Sequence, residues 1–119
     1  MHPGYVIGAI YLHREPVDFR KQINGLAAIV EGELEMNPFA DALFAFTNRA
    51  RTSVKVLYWD RNGFCLWQKR LETDRFAWPR GEPFATCHAV SLRELQWLLE
   101  GFDPWSKNAH KPLNYMIVS

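Results

Sequence analysis

Cysteine is scarce in this chain. Cys65 and Cys87 are its only two, and they stand in no Cys-x-x-Cys pattern. One bridge can be drawn between them, but a secreted disulfide scaffold uses more cysteines. Long apolar runs are missing too: nothing approaches the ~20 residues that span a bilayer. The N-terminal MHPGYVIGAIYLHRE has neither a positive first region nor a small-residue cleavage site. A soluble, cytoplasmic protein with no membrane association is expected. Phosphate-loop, dinucleotide-binding and nucleophile-elbow glycine motifs are absent. So are internal repeats, low-complexity segments and any large excess of one charge, since the net charge is +1.

That small sum conceals an uneven distribution. Residues 47–80 carry eight basic and three acidic side chains, a local balance of +5, whereas residues 1–46 balance to −3 and residues 81–119 to −1. A partner responds to the local field more than to the sum over the chain. The same stretch is rich in aromatic and β-branched residues, as in VKVLYW and FCLW.

The length of 119 residues fits one domain, expected over residues 1–105 with an irregular tail over 106–119. Tyr5–Leu12 is apolar and partly β-branched and predicts a first strand. Asp18 is positioned to cap a helix running to about Glu35, in which Ile23, Leu26, Ala27, Val30 and Leu34 recur at helical spacing. Strands follow at Ala42–Phe46, Ser53–Asp60 and Phe64–Leu71, with a short further strand at Arg75–Trp78 and a weak one at Phe84–Val90. Asn62-Gly63, between two β-rich runs, signals a hairpin. Ser91-Leu92-Arg93-Glu94 is a capping box ahead of an apolar face of Leu92, Leu95, Leu98 and Leu99, and Gly101 suits the end of that helix. The pattern predicts an α+β fold: an antiparallel sheet of four to six strands, a central β-hairpin, and helices 18–35 and 91–100 packed on one face.

The hairpin concentrates the chemistry. A two-residue Asn62-Gly63 turn sets Lys55 opposite Arg70; a three-residue Arg61-Asn62-Gly63 turn sets Lys55 opposite Lys69. Opposed like charges cost stability unless the face is solvated or meets an anion. Arg49 and Arg51 precede the strand and extend the positive field. Arg49, Arg51, Lys55, Lys69 and Arg70 are therefore the candidate DNA-binding residues, acting on phosphates rather than on bases. The competing reading is a solvated edge whose charges only prevent aggregation. No helix-turn-helix, zinc-finger or ribonucleoprotein signature accompanies the charge.

Candidates for catalysis are weaker. The aspartates and the four histidines are scattered, His13 reads as a loop residue, and Cys87-His88 would point to opposite faces of a strand. Neither a metal site, a cofactor site nor an enzyme activity is expected. Trp78, in Arg75-Phe76-Ala77-Trp78-Pro79, and Trp97, off the leucine stripe, are the candidate partner-binding residues, although core packing is the stronger reading of Phe76 and Trp78.

Several short patterns occur together in order. They are Asp18-Phe19-Arg20-Lys21 with Gly25-Leu26, Asn37-Pro38-Phe39, Phe44-x-Phe46, Lys55-x-Leu57-x-Trp59-Asp60, Gly63-Phe64, Lys69-Arg70-Leu71-Glu72, Arg75-Phe76-x-Trp78-Pro79 and Leu98-Leu99-Glu100-Gly101. In this combination the chain resembles the TnpB-type accessory proteins encoded by the second open reading frame of the insertion-sequence-66 family of bacterial transposable elements. The resemblance runs from about Asp18 to Asp103. It implies a non-catalytic accessory factor of DNA transposition, working beside a separate transposase that carries the strand-transfer chemistry. The family supplies no active-site residues to carry over. DNA and the element-encoded transposase are the implied partners; a homo-oligomer is a further option, suggested by Trp97 lying off the leucine stripe rather than by the resemblance. An adaptor that binds the transposase without touching DNA is the alternative role. The resemblance also makes Trp59, Phe76 and Trp78 parts of a fold-wide pattern, and so core rather than base-stacking residues.

Overall fold

The computed structural model describes residues 8–82 and 84–106. Five strands and two helices alternate as β1 (Ala9–His13), α1 (Ile23–Gly32), β2 (Ala42–Thr47), β3 (Ser53–Asp60), β4 (Gly63–Arg70), β5 (Cys87–Ala89) and α2 (Leu92–Leu99). The strands form one sheet in the order β4-β3-β2-β1-β5. This is the α+β architecture expected from the sequence. The expected tail lies outside the described residues beyond Ser106, as do the first residues of the expected Tyr5–Leu12 strand.

Three features differ in detail from the sequence reading. First, the sheet is mixed. β1 and β2 are parallel, with Ala9 beside Ala42 and Leu12 beside Ala45, while every other pairing is antiparallel. Parallel neighbours need a crossover connection, and α1 is that crossover. Second, the helices lie on opposite faces. Leu26, Ala27, Ile29 and Val30 of α1 pack with Phe44, Phe46 and Leu57, whereas Leu95, Leu98 and Leu99 of α2 pack with Leu12, Leu43, Ala45, Val54, Val56, Phe76 and Trp78. The run ALFAFT is buried at all six positions, as a strand covered on both faces must be. Third, the β3–β4 hairpin stands at an edge of the sheet rather than in its centre.

The helix ends show how local chemistry sets the elements. Ser91 Oγ accepts from the Glu94 amide at 3.1 Å and Glu94 returns a bond to the Ser91 amide at 2.9 Å, the reciprocal cap read from sequence. At the other end of α2, Gly101 adopts φ 96°, its amide donates to Leu98 and that of Phe102 to Trp97, which satisfies the last carbonyls. α1 starts later than expected. Its N-cap is Gln22, without a side-chain cap, because Asp18 instead closes a turn by accepting from the Arg20 amide at 2.9 Å. Arg75–Trp78 forms no strand, yet Phe76 and Trp78 are core, and the indole N–H of Trp78 donates to the His13 carbonyl at 2.9 Å. Gly81, at φ 62°, lies so close to the His88 ring that a Cβ would overlap it.

Candidate nucleic-acid interface

The hairpin register decides which charges reach the surface. Asp60 pairs with Gly63, so the turn is Arg61-Asn62, with Arg61 at φ 51°, and neither expected register occurs. Lys55 lies opposite Gln68, Lys69 opposite Val54, and Arg70 opposite Ser53. No two cations oppose each other across the hairpin.

Lys55 is withdrawn from solvent. Its side chain is only 1% exposed. The ammonium donates to the carbonyls of Phe19 at 2.8 Å and Lys21 at 2.9 Å and sits 4.8 Å from the Phe19 ring centre. Those carbonyls belong to the turn before α1, where no helical amide is available to them. Burial pushes the Lys55 ammonium down from its ordinary value, with the Asp18 carboxylate opposing the shift. The sequence reading of Lys55 as a phosphate contact is therefore corrected: it ties β3 to the start of the crossover. Lys69 is also engaged, donating to the Leu99 carbonyl at 2.8 Å, where a cation meets the negative end of α2.

The arginines behave differently. Arg49 and Arg51 are exposed in the β2–β3 connection, and Arg70 is exposed at the end of β4. Three main-chain links bring them to one end of the sheet, the root of the hairpin. Arg70 pairs with Ser53, the Leu71 amide donates to Thr52 at 2.8 Å, and the Phe76 amide donates to Arg51 at 2.7 Å. The last link adds exposed Arg75. The Val17 amide donates to Thr47 at 2.9 Å and brings the turn holding Arg20 and Lys21 to the same end. Three carboxylates share this surface. Asp18 holds Arg20 at 2.6 Å and Glu72 holds Arg70 at 3.2 Å, both as exposed pairs, while Asp74 is exposed. The bonds from the Arg20 side chain and amide hold the Asp18 carboxyl at about 2. Exposed pairs of this kind are weak and exchange readily for another anion. Arg51 occupies the left-handed region at φ 61°, a conformation that glycine would adopt with less strain.

The hairpin tip has another character. Phe39, Trp59 and Phe64 form a mutual cluster with ring centres 4.9 to 5.2 Å apart, and Phe39 is 53% exposed. Trp59 is thus half-buried at the surface, not in the core as its sequence pattern implied. Between tip and root, on the α1 side of β4, an open cleft of about 700 Å³ is lined by Arg20, Gln22, Asn24, Gly25, Leu66 and Gln68 together with Ile23. This cleft and the tip cluster were missed by sequence reasoning. The alternation of Phe64, Leu66, Gln68 and Arg70 along one face of β4 was their available signal.

The two partner-binding candidates separate. Trp78 is 4% exposed and belongs to the core, which withdraws it from that role. Trp97 is half-buried on α2 with the Arg93 guanidinium 5.4 Å from its ring centre.

No catalytic constellation is assembled among the described residues. Cys65 and Cys87 are free thiols on β4 and β5, opposite edges of the sheet. Burial pushes the Cys87 thiol up, the reverse of an activated nucleophile. His13 is buried at the end of β1, where Nδ1 lies 2.7 Å from the Glu15 carbonyl and Nε2 lies 2.7 Å from Glu33. That arrangement fastens β1 to the end of α1. Among the described residues no group of three or more metal-ligating side chains converges, and no helix is long and apolar enough to cross a membrane.

A small mixed-sheet α+β protein that presents a cationic surface is the class these features define. The chain belongs to the IS66 Orf2-like protein family, whose model matches residues 8–109. This is a family of accessory proteins of insertion sequences. The chain is similar to two uncharacterised proteins of Sinorhizobium fredii (strain NBRC 101917 / NGR234). It is 40% identical to y4hO over 86 residues, 72% of this chain and 73% of that one. It is 34% identical to y4jC over 104 residues, 87% of this chain and 86% of that one. No solved structure matches it significantly.

Proposed function

We propose that this protein assists transposition by contacting the DNA backbone through the arginines at the root of its hairpin. The carrying observation is the gathering of Arg49, Arg51, Arg70 and Arg75 at one end of the sheet, all exposed. Guanidinium groups suit this task because they grip phosphate in a planar fork. Among the described residues the root surface offers no reading element of the kind that enters a groove, which favours binding to phosphates with little sequence preference. The role is non-catalytic and leaves strand transfer to the element's transposase.

Titration of a short duplex against salt tests this. Four phosphate contacts give a slope of log affinity on log salt near −3 to −4. Absence of binding at low salt, or a slope near zero, would sink the proposal.

One observation favours the adaptor role as a second reading. Trp97 is half-exposed beneath Arg93, and Leu92 on the same helix is 40% exposed. That role predicts that Trp97→Ala abolishes co-purification with the transposase while reversal of the root arginines leaves it intact.

A further inference from the structure

The root and tip of the hairpin are joined by a continuous track. Even-numbered residues of β4 share the face of the sheet that α1 covers: Phe64 in the aromatic cluster, then Leu66 and Gln68 in the cleft, then Arg70 at the root. Phe64 and Arg70 are separated along the strand by roughly 20 Å. Across the cleft stand the side chains of Arg20, Gln22 and Asn24, all exposed. The track thus begins with aromatic rings, continues between amide side chains and ends with two guanidinium groups.

Each part has a function that a solvated surface does not require. Large apolar side chains are ordinarily covered, yet Phe39 projects into solvent over Trp59 and Phe64. Exposed rings on a sheet accept an unpaired base by stacking, whichever base it is. Asn and Gln side chains offer both donors and acceptors and so match base edges. Arg20 and Arg70 are held only by exposed carboxylates, Asp18 and Glu72, that a phosphate can replace. Among the described residues, main-chain alternation leaves this edge of the sheet without a strand partner as well. The Leu71 amide bonds β3, so the amides of Phe64, Leu66, Gln68 and Arg70 face away from it.

We infer that this track is a binding site for a short single-stranded stretch of nucleic acid, with an unpaired base stacked on the Phe39–Trp59–Phe64 cluster and its phosphates led past Gln68 to Arg20 and Arg70. The inference rests on the proposed DNA contact and deepens it. The protein grips a duplex at the arginine root, and the track takes a strand that leaves the duplex. A DNA end with a frayed or unpaired strand is the substrate class that fits both parts.

The experiment compares three fluorescein-labelled DNAs by anisotropy: a blunt duplex, the same duplex with a short unpaired thymidine tail, and oligothymidine alone. The expected result is tighter binding of the tailed duplex than of the blunt one, with the gain removed by Phe39→Ala, a loss of about tenfold. Phe39→Tyr restores it. Phe39→Ala leaves blunt-duplex affinity as it was, and its thermal midpoint is measured to show that the variant is folded. Equal binding of tailed and blunt duplexes, or a tail-dependent gain that survives Phe39→Ala, overturns the inference while the duplex contact stands. Failure of all three DNAs to bind at low salt removes the proposed function and the inference together. Loss of transposase co-purification by Phe39→Ala, with the tail-dependent gain intact, assigns the cluster to a protein partner and overturns the inference.

Discussion

The two ends of the β3–β4 hairpin differ in kind. At the root, arginines on three connecting segments are exposed and share their surface with a few carboxylates. At the tip, three aromatic rings cover one another and leave one of their number in solvent. A similar contrast runs within the positive charge itself. Lys55 and Lys69 lie inside the hairpin strands and are bound to main-chain carbonyls, whereas Arg49, Arg51 and Arg70 at its root are not. The positive balance of a segment is therefore a poor guide to the charge that its surface presents. Where a turn, as for Lys55, or the C-terminal end of a helix, as for Lys69, leaves carbonyls unpaired, a lysine within reach is absorbed by the fold.

The largest expected effect tests the root. Reversing Arg49, Arg51 and Arg70 together to Glu lowers duplex affinity roughly a hundredfold or more at low salt and flattens the salt slope by about one unit per contact. Retention of the full slope in that variant would place the contact elsewhere.

Lys55→Met carries the opposite signature. It strands two carbonyls and costs about 1–3 kcal/mol of stability, read from urea denaturation, while the salt slope stays as in the parent. A flattened slope would return Lys55 to the interface. The same pair reports on pH. Burial holds the Lys55 ammonium below 10.5 in the folded protein, so the unfolded chain binds that proton more tightly. The penalty is full below the folded value, and the parent's stability rises relative to Lys55→Met as pH climbs from there toward 10.5.

Arg51→Gly separates charge from backbone. It removes one phosphate contact, lowering affinity severalfold, but relieves a left-handed residue. Stability is therefore retained or raised by up to about 1 kcal/mol. Unchanged DNA binding in this variant would remove Arg51 from the root contact.

The smallest effect comes from Asp18→Asn, which frees Arg20 from its exposed partner. Duplex affinity rises a few-fold at low salt, and the gain disappears as salt is added. A decrease would mean that the Asp18 turn, rather than its charge, supports the interface.

Much of the fold could be read locally. The α2 cap, its terminal glycine and three leucines of its apolar face are signals within about ten residues that the structure bears out, whereas Leu92, expected on that face, is exposed at the first turn. Ser53–Asp60 was found to the residue, since a β-rich run bounded by turn residues identifies itself. The parallel β1–β2 pair was not legible, because pairing depends on how a distant crossover packs. A clue was present in ALFAFT, apolar at both parities, which requires cover on both faces.

The candidate site was legible only in part. Arg49, Arg51 and Arg70 were identified from charge alone and are exposed, whereas Trp78, proposed for a partner surface, is core. Arg20 and Arg75 were missed, for they join the root only through main-chain bonds to residues far along the chain. The sequence by itself determined the elements, the family pattern and the concentration of charge, because caps, turns and periodicity act over a few residues. Tertiary structure alone decided which lysines were consumed and which rings met at the tip. A one-residue difference in the hairpin turn reassigns every cross-strand neighbour, and the carbonyls that hold Lys55 come from a turn more than thirty residues away.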